Sequence, residues 1–251
     1  MINSDSTVQV QFLGSGDAFG SGGRLQSCIL VSHPGGRFLI DCGASAMISL
    51  RRFGIDPNTI DSIFLTHLHG DHFGGLPFFI LDAQLVSRRG TPLLVAGPPG
   101  LVKRLPAAMD AFFPGSSGVK RKFEIDLREI QPRVPLSAAA VRVTPFIGIH
   151  PSGDNAYSLR IEVGSKVLTC SGDTEWTDAL GEAARGADLL IAEAYYYEKK
   201  IPFHLDYCTL MEKSAGLGIR RIVITHMSAD MLSKMGLVAC DVADDGKMFE
   251  M

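Results

Sequence analysis

A chain of 251 residues, 46% of them hydrophobic, is long enough to bury a sizeable core; with no linker, low-complexity tract or repeat, one domain over 1–251 is the simplest organisation. The net charge of −3 argues against a general nucleic-acid-binding surface, and the small basic clusters, such as Lys120-Arg121-Lys122 and Arg220-Arg221, read as solvated faces. No apolar run reaches 18 residues, Met1-Ile2-Asn3-Ser4-Asp5 lacks a basic-then-apolar leader pattern, and five scattered cysteines form no C-x-x-C pair, so the expectation is a cytoplasmic protein without membrane span, structural disulfide or zinc ribbon.

In chain order, residues 8–13 alternate as a strand does, and Gly14-Ser15-Gly16-Asp17 forms a glycine-rich turn leaving it. Strands at 28–31 and 37–40 read as a hairpin closed around Pro34-Gly35-Gly36. The first half continues with a helix over 46–53, a strand over 62–65, a helix over 76–86, a strand over 92–96 and a helix over 101–112. The second half reads as strands near 122–127, 140–146, 157–163 and 166–170, a helix over 177–185, a strand over 187–192, a helix over 210–217, a strand over 221–225 and a short last strand near Met248. Hairpins mixed with short α/β alternations in both halves predict an α/β fold of two mixed sheets packed face to face with helices outside.

The segment Thr66-His67-Leu68-His69-Gly70-Asp71-His72-Phe73-Gly74-Gly75 follows the apolar run Ile63-Phe64-Leu65 and places three imidazoles and a carboxylate within six positions. Residues i and i+2 of an extended chain share a side, so His67 and His69 can offer nitrogens to one ion. The chain then turns at Gly70, where a glycine carries no Cβ penalty. Asp71 and His72 follow on the approach to the helix near Leu76 and can serve a second ion. Imidazole and carboxylate together suit zinc, manganese or iron, whereas calcium or magnesium would call for oxygen donors throughout.

The H-x-H-x-D-H pattern resembles that of the metallo-β-lactamase superfamily, and the resemblance covers almost the whole chain. It implies an αββα sandwich and further ligands at strand ends: His150 after Phe146-Ile147-Gly148-Ile149, Asp173 in Cys170-Ser171-Gly172-Asp173, and His226 after Ile222-Val223-Ile224-Thr225. By the family pattern His67, His69 and His150 hold one divalent ion, Asp71, His72 and His226 the other, and Asp173 bridges them. Two ions close together make hydroxide available at neutral pH, which implies hydrolysis, with Asp71 counted among the catalytic groups as well as the ligands.

Three features resemble the ribonuclease Z branch: the opening Leu13-Gly14-Ser15-Gly16, the segment Ala192-Glu193-Ala194-Tyr195 in the place of a His-Glu-Ala-Thr motif, and His204 where that branch has a catalytic histidine. The implied pair is Glu193 orienting His204, which protonates the leaving alkoxide. The chain departs from the branch at Ala192, which replaces the motif's histidine, and at Leu205-Asp206, which replace Ser-Thr. The long arm that grips tRNA in that branch is inserted between the ligands matched by His150 and Asp173, and residues 151–172 leave no room for it. The expectation is therefore a phosphodiesterase acting on small or cyclic phosphodiesters or short nucleotides, with a homodimer possible. The alternatives are an ester, lactone or thioester hydrolase, an iron oxidoreductase using the same ligands, and a metal-stabilised binding module.

Other residues read as structural. His33 is expected to be exposed in a turn without neighbours, and Cys170 to be a buried strand residue. Asp41 either supports a ligand histidine or caps the helix near Ala46. Tyr195-Tyr196-Tyr197 either lines a pocket or fills the interface below it, with packing favoured.

Overall fold

The computed structural model describes residues 7–153 and 155–251. The segment Met1-Ile2-Asn3-Ser4-Asp5, read above for a leader pattern, lies outside the described residues. The strands are β1 (Gln9–Gly14), β2 (Cys28–His33), β3 (Gly36–Ile40), β4 (Ser62–Phe64), β5 (Leu93–Gly97), β6 (Ile125–Glu129), β7 (Leu136–Ala138), β8 (Val141–Ile147), β9 (Tyr157–Val163), β10 (Lys166–Cys170), β11 (Leu189–Glu193), β12 (Ile222–Thr225), β13 (Asp241–Val242) and β14 (Met248–Glu250). The helices are α1 (Ala46–Arg52), α2 (Gly70–Phe73), α3 (Leu76–Leu85), α4 (Leu101–Phe112), α5 (Asp178–Ala184), α6 (Tyr207–Ser214) and α7 (Ala229–Ser233).

One sheet runs β14-β1-β2-β3-β4-β5-β6 and the other β13-β12-β11-β10-β9-β8-β7. In the first, pairing is antiparallel from β14 to β3 and parallel from β3 to β6. In the second it is antiparallel from β7 to β10 and parallel from β10 to β13. Period-two alternation sorts the side chains into layers. Phe38, Ile40, Phe64, Leu189 and Ile191 join the core between the sheets. Their neighbours Leu39, Ile63 and Leu65 pack instead with Leu50, Phe79 and Leu105 of α1, α3 and α4. On the other outer face Leu190, Ala192 and Ile224 pack with Leu180, Leu210 and Met231 of α5, α6 and α7. This is the αββα sandwich expected from the sequence. Each fully buried Phe or Ile in the middle layer contributes roughly 1.5–3 kcal/mol from apolar burial.

Pairing changes from antiparallel to parallel at β3 in one sheet and at β10 in the other, so in each sheet the parallel strands that follow have their carboxyl ends at one edge. Asp41 follows β3, Thr66 and His67 follow β4, Asp173 follows β10, Glu193 ends β11 and His226 follows β12. A backbone bond from Tyr157 N–H to Thr66 C=O, 2.9 Å, joins the two sheets beside the site.

Several local expectations change. Asp71 and His72 lie in α2, a single turn of helix of their own, so Gly70 is helical and a Cβ there would meet open space. The glycines that matter for close approach are Gly43 and Gly75: a Cβ on Gly43 would stand 2.2 Å from Asp71 O, and one on Gly75 2.1 Å from Gly43 O. The helix read as 210–217 is α6, because Asp206 caps it by accepting Thr209 N–H at 2.8 Å. His33 is half-buried at the end of β2, with its ring 5.9 Å from that of Phe38 and its Nδ1 accepting Gly35 N–H. The short elements β7, β13 and α7 carry too few residues to show a periodic pattern.

Candidate metal centre and active site

The structure brings all nine sequence-predicted site residues, His67, His69, Asp71, His72, His150, Asp173, Glu193, His204 and His226, to one end of the sandwich. Their donor atoms form overlapping groups, each within 4.8 Å: His67, His69 and His150; Asp71, His72, Asp173 and His226; His150, Asp173 and His204; Glu193, His204 and His226. The first two are the two separate ligand clusters that a dinuclear centre needs, and Asp173 lies between them. Its Oδ1 is 3.3 Å from His72 Nε2, and its Oδ2 is 3.5 Å from His226 Nε2 and 3.9 Å from both His67 Nε2 and His150 Nε2. Asp71 Oδ2 stands 3.2 Å from the Nε2 atoms of His72 and His226.

His67, His72 and His150 are each held by a hydrogen bond at Nδ1, with Nε2 toward the cluster, whereas His69 Nδ1 lies 3.0 Å from His150 Nε2. Asp41 is the anchor: its Oδ2 accepts His72 Nδ1–H at 2.6 Å, and its Oδ1 accepts Thr66 N–H at 2.8 Å. Thr66 Oγ1 lies 3.0 Å from the Asp41 carboxylate and 3.1 Å from His67 Nδ1, so it donates to the carboxylate and accepts from the ring. One carboxylate thereby sets the ring tautomer of a histidine in each cluster. Of the two readings of Asp41, the structure shows the bond to the histidine, His72, and not the helix cap: Ser45 takes the cap position of α1. His150 Nδ1–H donates to Phe203 C=O at 3.0 Å.

Two of the buried nitrogens without a hydrogen-bond partner are His67 Nε2 and His72 Nε2, the atoms these anchors leave bare; His226 Nδ1 is a third. Buried polar atoms rarely stay unpaired. Burial and the neighbouring His72 push His67 well below the ordinary imidazole range, and burial also lowers His69 and His150, leaving neutral rings. Burial opposes the charge on His72 and His226, yet Asp173 with Asp41 raises the first and Asp173 with Asp71 raises the second. The buried carboxylates call for positive charge between them, which a cation supplies. Bare imidazole nitrogens, carboxylate oxygens close to both groups and this charge balance fit two transition-metal ions.

Beside the clusters, His204 Nδ1 lies 2.8 Å from Glu193 Oε2. Glu193 is buried and fixed: its Oε1 accepts Thr174 N–H at 2.5 Å and its own N–H donates to Ser171 Oγ at 2.9 Å. Burial, then Asp173, raises the Glu193 carboxyl well above its ordinary range, and burial lowers His204. The tyrosine trio divides. Tyr195 stacks on His204 with centroids 4.8 Å apart, while Tyr197 packs on Tyr207. The sequence reading missed Thr66 and the Phe203 carbonyl altogether, since an isolated threonine and a loop phenylalanine carry no pattern that marks them.

Fold and site together define a metal-dependent hydrolase of the metallo-β-lactamase superfamily, with relatives of the ribonuclease Z kind. A ribonuclease Z of Brevibacillus brevis is 30% identical over 269 aligned residues, covering 87% of this chain and 85% of that protein. The metallo-β-lactamase fold protein YhfI from Bacillus subtilis superposes with a TM-score of 0.79 at 20% identity, over 98% of this chain and 100% of that one. A diphosphatase from the PhnP family gives a TM-score of 0.76 at 21% identity, over 97% and 98% of the two chains. A family model described as anti-Pycsar protein Apyc1 matches residues 8–236, and the chain belongs to that family.

Proposed function

We propose that this protein is a dinuclear phosphodiesterase of the ribonuclease Z-like group, cleaving small or cyclic phosphodiesters or short nucleotides. In this reading His67, His69 and His150 would hold one ion and Asp71, His72 and His226 the other, with Asp173 a ligand available to both. The imidazole-rich donor set favours zinc, with manganese or iron as the other metals it suits. When bound, the ions supply hydroxide at neutral pH and positive charge beside the attacked phosphoryl group. Asp71, facing the cluster through Oδ2, takes a proton from the attacking water. Glu193 holds His204 by Nδ1, leaving Nε2 to protonate the departing oxygen.

The single observation that carries the reading is the buried Glu193 and its 2.8 Å contact with His204, set against the ligand clusters. Such an acid matters when the leaving oxygen is strongly basic, as in an unactivated phosphodiester, and matters least for a thioester. The name of the Brevibacillus brevis relative supports a phosphodiester substrate, and the family description supports a role against Pycsar, exercised here by hydrolysing a small phosphodiester. Small size is supported by the chain itself. Among the described residues, 151–172 hold a short loop and the hairpin β9–β10, and the alignment with the ribonuclease Z is longer than this whole chain, so that relative carries residues with no counterpart here. No helix of the described residues is long and apolar enough to cross a membrane. One domain over 1–251, a cytoplasmic location and a homodimer belong to the same proposal.

The test is metal analysis of the purified protein with kcat/KM values for a cyclic nucleotide, a dinucleotide, precursor tRNA, a lactone and a thioester. About two ions per chain and a preference for the small phosphodiesters are expected. A preference for the lactone or thioester would assign an ester-type hydrolase instead, and a preference for precursor tRNA would overturn the size argument.

A further inference from the structure

Phe203 has φ 71°, in the left-handed region that side chains disfavour, and it immediately precedes His204. A residue stays in such a conformation only where its surroundings hold it there. Its peptide groups are gripped from both sides. Its N–H donates to Glu175 Oε1 at 2.8 Å, and its C=O accepts His150 Nδ1–H at 3.0 Å. A bridge between Ile201 and His204 closes the short strap that carries it.

Glu175 is in turn part of a tightly fixed tripeptide. Its N–H donates to Ile149 C=O at 3.3 Å, and its C=O accepts from Thr174 Oγ1 at 2.7 Å. Thr174 Oγ1 also accepts Ile149 N–H at 2.8 Å, one residue before His150. Thr174 N–H holds Glu193, which holds His204. The run Asp173-Thr174-Glu175 therefore carries the carboxylate between the clusters, the anchor of the Glu193–His204 pair and the clamp on the Phe203 peptide.

We propose that Glu175 is a positioning residue: by holding the Phe203 N–H, it aims the Phe203 carbonyl at His150 Nδ1, keeps His150 Nε2 turned into the cluster, 3.0 Å from His69 Nδ1 and 3.9 Å from Asp173 Oδ2, where it can meet an ion, and places His204 beside the reacting centre. The inference rests on the reading of His150 as a ligand and His204 as an acid. It adds that one exposed loop residue, Phe203, sets both through its two flanking peptide groups. The carboxylate acts through an oxygen acceptor at a given reach, so its amide analogue keeps the device, whereas a shorter acid does not reach the Phe203 N–H.

The experiment compares Glu175→Ala, Glu175→Asp and Glu175→Gln with the wild type in two measurements. Zinc affinity is read by competition with a chromophoric chelator, and turnover is read on phosphodiesters with good and poor leaving groups. Glu175→Ala and Glu175→Asp are expected to weaken binding of one of two zinc ions by about 10–100-fold, the usual consequence of losing a partner that orients a ligand. They are also expected to lose more turnover with the poor leaving group than with the good one, while Glu175→Gln stays close to wild type on both. Should the alanine variant fail to fold, the contrast between Asp and Gln carries the same information. Unchanged zinc affinity and unchanged leaving-group dependence in Glu175→Ala or Glu175→Asp, with only a lower melting temperature, would overturn the proposal and leave Glu175 a loop brace. A wild-type protein that binds two zinc ions but hydrolyses no phosphodiester would sink the functional reading alone, and the zinc competition would still decide the role of Glu175 at His150.

Discussion

The two ligand clusters are built from different parts of the molecule and enclosed to different degrees. Asp71, His72, Asp173 and His226 are all buried, whereas in the other group only His67 is buried and His69 and His150 are half-open. The closed group is fixed from the core, with Asp41 following β3 and bonded directly to His72. The open group has one ring tied through Thr66 to the same Asp41 and another tied to the loop carbonyl of Phe203. Charge and geometry are therefore set by the core on one side. On the other, more open side, they depend partly on a loop.

The largest expected effect comes from the residue that joins the two groups. Asp173→Ala should take hydrolysis to background and remove at least one ion, measured as kcat and metal stoichiometry; full activity with two ions retained would break the picture of a shared carboxylate. Next is His204→Ala. With a poor leaving group the loss should fall in the range of about a hundredfold to ten-thousandfold, with a far smaller loss for p-nitrophenolate. Metal content should not change. Because His204 also shares a possible ligand group with His150 and Asp173, release of an ion from this variant would make it a ligand rather than an acid.

Asp41→Asn sharpens the comparison between core and loop. Asp41 supports one histidine in each group, so both ions should bind about 10–100-fold more weakly. A loss confined to one ion, seen in a two-step chelator titration, would show that the Thr66 relay does not orient His67.

The smallest effect concerns Glu193. Its carboxyl is raised well above the usual 4.5 by burial and by Asp173, so the folded state holds this proton to higher pH than the unfolded chain does. Below about 4.5 both states are protonated and there is no penalty. As pH rises above that value the unfolded state ionises first, and this contribution to stability is lost. Glu193→Gln should therefore raise the melting temperature of the metal-free protein at neutral pH by roughly 2–4 °C for each kcal/mol relieved. The gain should shrink toward pH 4.5, while phosphodiester turnover falls. An equal gain at all pH values would assign the effect to packing rather than ionisation.

The sandwich and the first four ligand-type residues are local in sequence, which is why they are legible there. Alternation in Phe38, Leu39 and Ile40 tells which face of a strand meets which layer, and His67 to His72 lie close enough for spacing alone to imply shared ions. The remaining ligands, His150, Asp173 and His226, became recognisable only through the order of a family pattern, since a single histidine after a strand has no signature of its own. The one-turn helix α2 was unreadable because four residues cannot display a helical period.

By itself the sequence determined the α/β layering, the ligand-bearing segment and the hydrolytic chemistry that two clustered ions imply, because these follow from periodicity and short spacing. Only the tertiary structure decided that Asp41 governs a ring in each cluster, that Tyr195 faces His204 while Tyr197 packs away from it, and that Glu175 reaches the Phe203 peptide. The Asp41 and Glu175 bonds join residues 25 or more positions apart, and the Tyr195–His204 and Tyr197–Tyr207 contacts cross the loop between β11 and α6. A hydrogen bond of that kind is fixed by where two strand ends or loops meet in space, and no local pattern in the chain encodes it.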